Sequence, residues 1–210
     1  MRSIKRAVSL VALASVVGTV TAEAQEGIGI GYSDVGAVLG LGGIGRAGVA
    51  LGARYENIVK HLPDLGNGLL GVQVSADWWS WNDSYSSGNS TSSFGQTVIP
   101  IGVTANYHFK LEDSKFDPFV GAGLAYWLVS SSGESCTIIL GVEYCYGSGY
   151  SSGSGIHVVT KAGIRYFYSP ATTFYADLGI GAAAINVGVT LRLKAGSAPP
   201  RRGPGVVGAP

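Results

Sequence analysis

Apolar residues recur at every second position through most of the chain. Over 185–194, Ile185, Val187, Val189, Leu191 and Leu193 share one parity, and Asn186, Gly188, Thr190, Arg192 and Lys194 take the other. Successive side chains of a strand point to opposite faces, so this spacing predicts a β-strand with one apolar face. Over 97–110, Ile99, Ile101, Val103, Ala105, Tyr107 and Phe109 alternate with Pro100, Gly102, Thr104, Asn106 and His108. The same rule predicts strands over 47–56, 70–81, 119–129, 156–168 and 172–181. The first strand, over 28–41, changes phase: Ile28, Ile30 and Tyr32 have the opposite parity to Val35, Ala37, Leu39 and Leu41. A bulge near Ser33-Asp34 would join the two halves.

About eight antiparallel strands result. The connections over 82–95 and 131–154 are long and rich in Ser, Gly and Tyr, while those over 59–68, 111–115 and 169–171 are shorter. The two kinds alternate, which puts long loops at one end and short turns at the other, as in membrane barrels. Two connections at the long-loop end, 42–46 and the turn near Ala183, are short.

Composition decides which face meets lipid. Alternation alone also fits a soluble, lipocalin-like barrel with an apolar interior. That barrel needs a charged outer face. Charged residues are only 13% of this chain and there are 33 glycines. Many glycines fall on the non-apolar parity: Gly48, Gly52, Gly71, Gly102, Gly121, Gly123, Gly163, Gly179, Gly181 and Gly188. Glycine packs nothing on an exposed strand, whereas small residues fit inside a narrow eight-stranded barrel. Trp78, Trp81 and Tyr126 at the long-loop end, with Tyr107, Phe109, Tyr166 and Tyr168 at the other, suggest two interfacial aromatic belts. The expected fold is an all-β, eight-stranded antiparallel up-and-down transmembrane β-barrel.

The segments Ile99-Pro-Ile-Gly-Val-Thr-Ala-Asn-Tyr-His-Phe109 and Phe116-Asp-Pro-Phe-Val-Gly-Ala-Gly-Leu-Ala-Tyr126 resemble the central hairpin of the small bacterial outer-membrane β-barrel proteins, the OmpA/OmpX-like group. Arg165-Tyr166-Phe167 and Asn186-Val-Gly-Val-Thr-Leu-Arg-Leu193 are similar to that group's late strands. The resemblance covers roughly residues 28–194 and implies an architecture rather than an activity. Unlike the aromatic that commonly ends such barrels, the last strand here ends Leu193-Lys194.

The ends set the compartment. Arg2, Lys5 and Arg6 precede an apolar run over 7–20 and Ala22-Glu23-Ala24, the form of a cleaved secretory signal. The expected division is a signal over 1–24, a barrel over 25–194 and a disordered tail over 195–210. The implied location is the outer membrane of a Gram-negative-type bacterium. Without the signal the chain is close to neutral, which gives no electrostatic case for nucleic acid.

Three groups of residues are candidates for chemistry. Arg54, Glu56, Asp77, Lys161, Arg165, Asp177 and Arg192 fall on the inner parity and form the expected lumen charge network. Asp177 is placed diagonal to Lys161 and Arg165, with Arg192 approaching Tyr175 and Asp177. Charges there require partners, so a paired internal plug is favoured over a pore lining. Cys136 and Cys145 are expected to form a disulfide across a small hairpin turning at Gly141. His61 sits in a turn and His108 and His157 on the lumen face. None stands beside a serine and an acid on an accessible surface, as hydrolysis requires. No catalytic, cofactor or metal residues are assigned. The leading expectation is a non-enzymatic, monomeric barrel in contact with membrane lipid. Its loops 82–95 and 131–154 are the candidate contacts for an extracellular partner. A narrow porin-like channel for small solutes and a soluble lipocalin-like barrel are the alternatives.

Overall fold

The computed structural model describes residues 28–44, 47–111, 115–150 and 153–197. The signal segment over 1–24 and positions 198–210 of the tail lie outside them. Nine strands occur among the described residues: β1 (Ser33–Ile44), β2 (Ala47–Leu62), β3 (Gly68–Ser87), β4 (Ser90–His108), β5 (Phe116–Ile139), β6 (Val142–Tyr150), β7 (Gly155–Phe167), β8 (Thr172–Ile180) and β9 (Ile185–Lys194). Eight of them close a ring. The antiparallel order runs β4-β3-β2-β1-β9-β8-β7-β5, and β4 pairs with β5 from Ser90↔Thr137 to His108↔Phe119. Closure satisfies the backbone of every stave, which an open sheet cannot do in lipid. The architecture is the expected up-and-down β-barrel.

Parity separates the outside from the inside. Val35, Leu39, Leu51, Val74, Trp78, Ile101, Val103, Leu124, Tyr126, Val158, Ile164, Phe174, Leu178, Val187 and Leu191 all point outward and are exposed. Ion-pairing and amide side chains fill the inner parity and are buried. A soluble barrel would invert this arrangement, so the lipocalin-like alternative does not describe this molecule. At the short-turn end, outward aromatics pair off. Ring centroids of Tyr107 and Phe109 are 4.9 Å apart, those of Phe116 and Tyr166 5.2 Å, and those of Tyr168 and Phe174 5.7 Å. At the other end Trp78 and Tyr126 face outward. Trp81, expected in that belt, instead packs inward against the Trp79 cluster, because its parity is that of Trp79.

Inner glycines give room to their neighbours' polar side chains. A Cβ on Gly52 would collide with the Asp77 carboxylate, and one on Gly121 with the Asn106 amide. The Phe119 ring occupies the space beside Gly163 in the same way.

Three features depart from the expected outline. Strand β1 begins at Ser33, and Tyr32 folds inward, fully buried, on the segment before it. The anticipated phase change is real: the β1–β9 register shifts between Ser33 and Asp34. The start of the tail is also paired, with Ile30 bridging Ser197. The largest departure concerns the long connections, which are strand rather than loop. β3 and β4 run on to Ser87 and from Ser90, and β5 continues to Ile139. β6 then pairs back along β5, from Ser131↔Tyr150 to Ile139↔Val142. These segments lack apolar alternation, so period alone did not mark them.

Candidate functional site: the barrel interior and the sheet above it

Strands from around the whole ring supply the interior. In the short-turn half, Arg165 of β7 is fully buried among acids. Its Nη1 lies 2.8 Å from Asp34 and 3.2 Å from Glu56, and its Nε lies 2.7 Å from Asp117. His108 bridges Asp117 at 2.9 Å and Glu56 at 3.0 Å. The Asn106 amide donates to Glu56 at 2.7 Å. Lys161 donates to the Gln73 side-chain oxygen, and the Gln73 amide donates to Glu56 at 3.4 Å. In the long-loop half, Arg54 pairs with Asp77 at 2.8 Å and donates to Asn186 at 3.3 Å. Asp177 accepts from Asn186 at 2.7 Å and from the Tyr175 hydroxyl. Charged groups buried this deeply persist only when paired and hydrogen-bonded.

Apolar clusters close both ends. Tyr32, Ile58, Leu69 and Phe167, with Ile28 against them, cap the short-turn end. Ala50, Trp79, Val98 and Ala183, with Trp81, Trp127 and Val129 against them, cap the other. The Trp127 indole donates to the Gly181 carbonyl at 3.2 Å and stacks on His157 with ring centroids 4.0 Å apart.

All seven expected network residues lie on the inner parity, but Arg54, Asp77 and Asp177 gather in one cluster, Glu56, Lys161 and Arg165 in another, and Arg192 lies nearer the short-turn end than expected. Arg192 does not approach Tyr175 and Asp177. Asn186 holds that position, directly across from Asp177 in the β8–β9 register. Arg192 lies toward the short-turn end, over the rings of Tyr32 and Phe167. Asp34, Asp117 and the bridging role of His108 escaped the sequence reading. Asp34 sits at the phase change. Asp117 lies before the apparent start of its strand, yet it shares the parity of Phe119 and pairs with Arg165 in register. That parity was the available signal.

Above the barrel, β3, β4, β5 and β6 form a four-stranded sheet made of their distal halves. Hydroxyl pairs cross it: Ser86 with Thr91 at 3.2 Å, Ser90 with Thr137 at 3.1 Å and Ser92 with Ser135 at 3.1 Å. The expected disulfide joins Cys136 to Cys145, which face each other in register. The β5–β6 hairpin turns at Leu140-Gly141, one position wider than the single glycine expected. One row across the sheet reads Tyr85, Ser92, Ser135, Tyr146, and both tyrosines are exposed. A shallow polar groove on the sheet is lined by Asn82, Ser84, Ser93, Gly95, Ser132 and Glu134. Glu134 lies beside the cystine, whose bonded sulfurs are not the thiolates a metal would need.

No protein-family profile matches the chain, and no curated protein does. Among solved structures it is similar to the N-terminal β-barrel domain of Pseudomonas aeruginosa OprF (13% identity, 79% of this chain and 99% of that chain, TM-score 0.42). It is similar also to Neisserial surface protein A (16% identity, 78% and 94%, TM-score 0.41). A third is Ail, the attachment invasion locus protein of Yersinia pestis (12% identity, 79% and 95%, TM-score 0.38). The chain's own strand pairing establishes the closed barrel.

Proposed function

We propose that this protein is a non-enzymatic barrel of a bacterial outer membrane whose interior is a structural plug and whose projecting sheet is its working surface. One observation carries the reading: buried ion pairs fill the lumen between two apolar caps. Eight strands leave an interior just wide enough for side chains, and here charged and amide side chains from different strands pair across it. The membrane location follows from the apolar outer face and its aromatic pairs. Export is supported by the signal-like segment over 1–24.

The sheet supports an outward role by exclusion of cores. Among the described residues it holds no buried apolar cluster, yet it extends four strands past the barrel. Tyr, Ser and Gly dominate it, a composition suited to adaptable contacts with other molecules. A structure of Ail is reported in complex with the heparin analogue sucrose octasulfate. A polyanion of that kind needs cations, and residues 82–95 and 131–154 of this chain contain Asp83, Glu134 and Glu143 but no Lys, Arg or His. The partner chemistry here is of a different kind.

Planar-bilayer recording of the refolded protein tests the plug. We expect no stepwise current at moderate voltage. Stable open-channel conductance would overturn the plug and favour the narrow-channel alternative.

A further inference from the structure

The tip of the β5–β6 hairpin is unfavourable to its own fold. Leu140 and Gly141 have φ of 52° and 80°. This is the backbone of a two-residue hairpin turn that strongly prefers Asn-Gly or Gly-Gly. A leucine at positive φ is sterically strained. Leu140 is also 100% exposed. Folding gains nothing from it in conformation or in burial.

Its neighbours share the anomaly. Ile138, Ile139 and Val142 are exposed around it. The Cys136–Cys145 bridge lies just below them and holds the aliphatic group on a fixed frame. An apolar knob that is already rigid loses little freedom when another surface covers it. The barrel's own lipid does not reach it: Ile139 lies roughly 40 Å of strand beyond Tyr126 of the outer aromatic belt, at about 3.3 Å per residue.

Charge indicates what does cover it. Glu143 pairs in register with Ile138, next to the knob. A carboxylate at that depth opposes insertion into a second bilayer. With Asp83 and Glu134 it makes the whole sheet acidic, with no base in either segment. Tyr144 and Tyr146 follow Glu143, and Tyr146 and Tyr85 present exposed rings on which Lys and Arg pack well.

We propose that the hairpin tip anchors in an apolar pocket of a basic partner protein. Leu140 inserts, while Glu143 and the tyrosine rings meet Lys and Arg at the rim. This rests on the reading that the sheet is displayed outside the membrane.

The test uses the full chain refolded in phosphatidylcholine nanodiscs, with empty discs subtracted, and three short fluorescent peptides: alternating Lys-Leu, Lys-Ser and Glu-Leu. We expect the Lys-Leu peptide to bind, and to bind more weakly as salt rises. Leu140→Asn should weaken that binding about tenfold, the scale of losing one anchor, while leaving the unfolding midpoint unchanged or higher, since Asn accepts the turn. Glu143→Gln should weaken binding several-fold and flatten the salt dependence. Equal binding of the Lys-Ser or Glu-Leu peptide, undiminished binding by Leu140→Asn, or a lowered midpoint for that variant would each overturn the proposal. So would capture of the nanodisc-held protein on phosphatidylcholine vesicles that Leu140→Asn abolishes. Maleimide labelling of Ser86→Cys on intact cells separates the two readings. If it labels and no peptide binds, display stands and this proposal falls. If it does not label, both fall.

Discussion

Strands β3, β4 and β5 each pass through two environments. Their proximal halves wall the barrel, and their distal halves make the projecting sheet. Hydrogen-bonded pairing is continuous through both, as the unbroken β4–β5 register from Ser90 to His108 illustrates. The side chains obey opposite rules. Inside the barrel, Asp77, Gln73, Asn106, His108 and Asp117 are buried, and each has polar partners from other strands. In the sheet, hydroxyls pair with hydroxyls in water, and Tyr85, Leu140 and Tyr146 have almost no cover. A buried polar group left alone costs far more than an exposed one, so the interior is tightly specified. The sheet is left free to vary toward contact.

The largest test of this contrast is Arg165→Met. It leaves Asp34, Glu56 and Asp117 close together without their shared cation. We expect a loss of about 3–5 kcal/mol, read from urea unfolding in phospholipid vesicles or from loss of the folded band on an unboiled gel. A loss under about 1 kcal/mol would mean that the guanidinium does not organise those carboxylates.

Next is Cys145→Ser. Closing so short a loop contributes about 2.5–3 kcal/mol in the chain-entropy model. The effect should stay within the sheet: hydrogen exchange is expected to rise over β6 and distal β5, with the barrel's unfolding midpoint unmoved. A matching fall in that midpoint would show that the two regions are not independent.

A paired glycine substitution sharpens the comparison further. Gly52→Ala drives a methyl into the Asp77 carboxylate that pairs with Arg54. Overpacking of this kind costs about 1–3 kcal/mol. Gly147→Ala meets nothing within 4 Å, so its effect is expected within about 0.5 kcal/mol. Equal effects at the two positions would mean that the interior is looser than its contacts imply.

Much of the barrel was legible because its physics is local. Period-two alternation places Ile185 to Leu193 on one face whatever the neighbours are. Glycine on the opposite parity then fixes that face as the outer one, since only a crowded interior has use for it. The inward orientation of Arg54, Glu56, Asp77, Lys161, Arg165 and Asp177 follows from the same count. The disulfide followed from two cysteines flanking a short segment, and the phase change at Ser33-Asp34 from a break in parity.

What remained depended on register and on neighbours distant in sequence. Alternation gives a direction but no height, so it could not pair Asn186 rather than Arg192 with Asp177. Nor could it bring Asp34 and Asp117, 83 residues apart in the chain, onto one guanidinium. Trp78 and Trp81 differ by three positions, so parity already sends one outward and the other inward, and the closed ring decides only that Trp81 meets the Trp79 cap. Beyond the cystine-bridged hairpin at its tip, the sheet was invisible because Ser, Thr and Gly strands carry no apolar period: cross-strand hydroxyl pairs hold it, and they exist only once β3 to β5 lie side by side. Sequence alone determined the staves and their faces, since each depends on successive side chains. Tertiary structure decided which charges meet, what seals the ends and what stands outside, since each depends on how far one strand slides along the next.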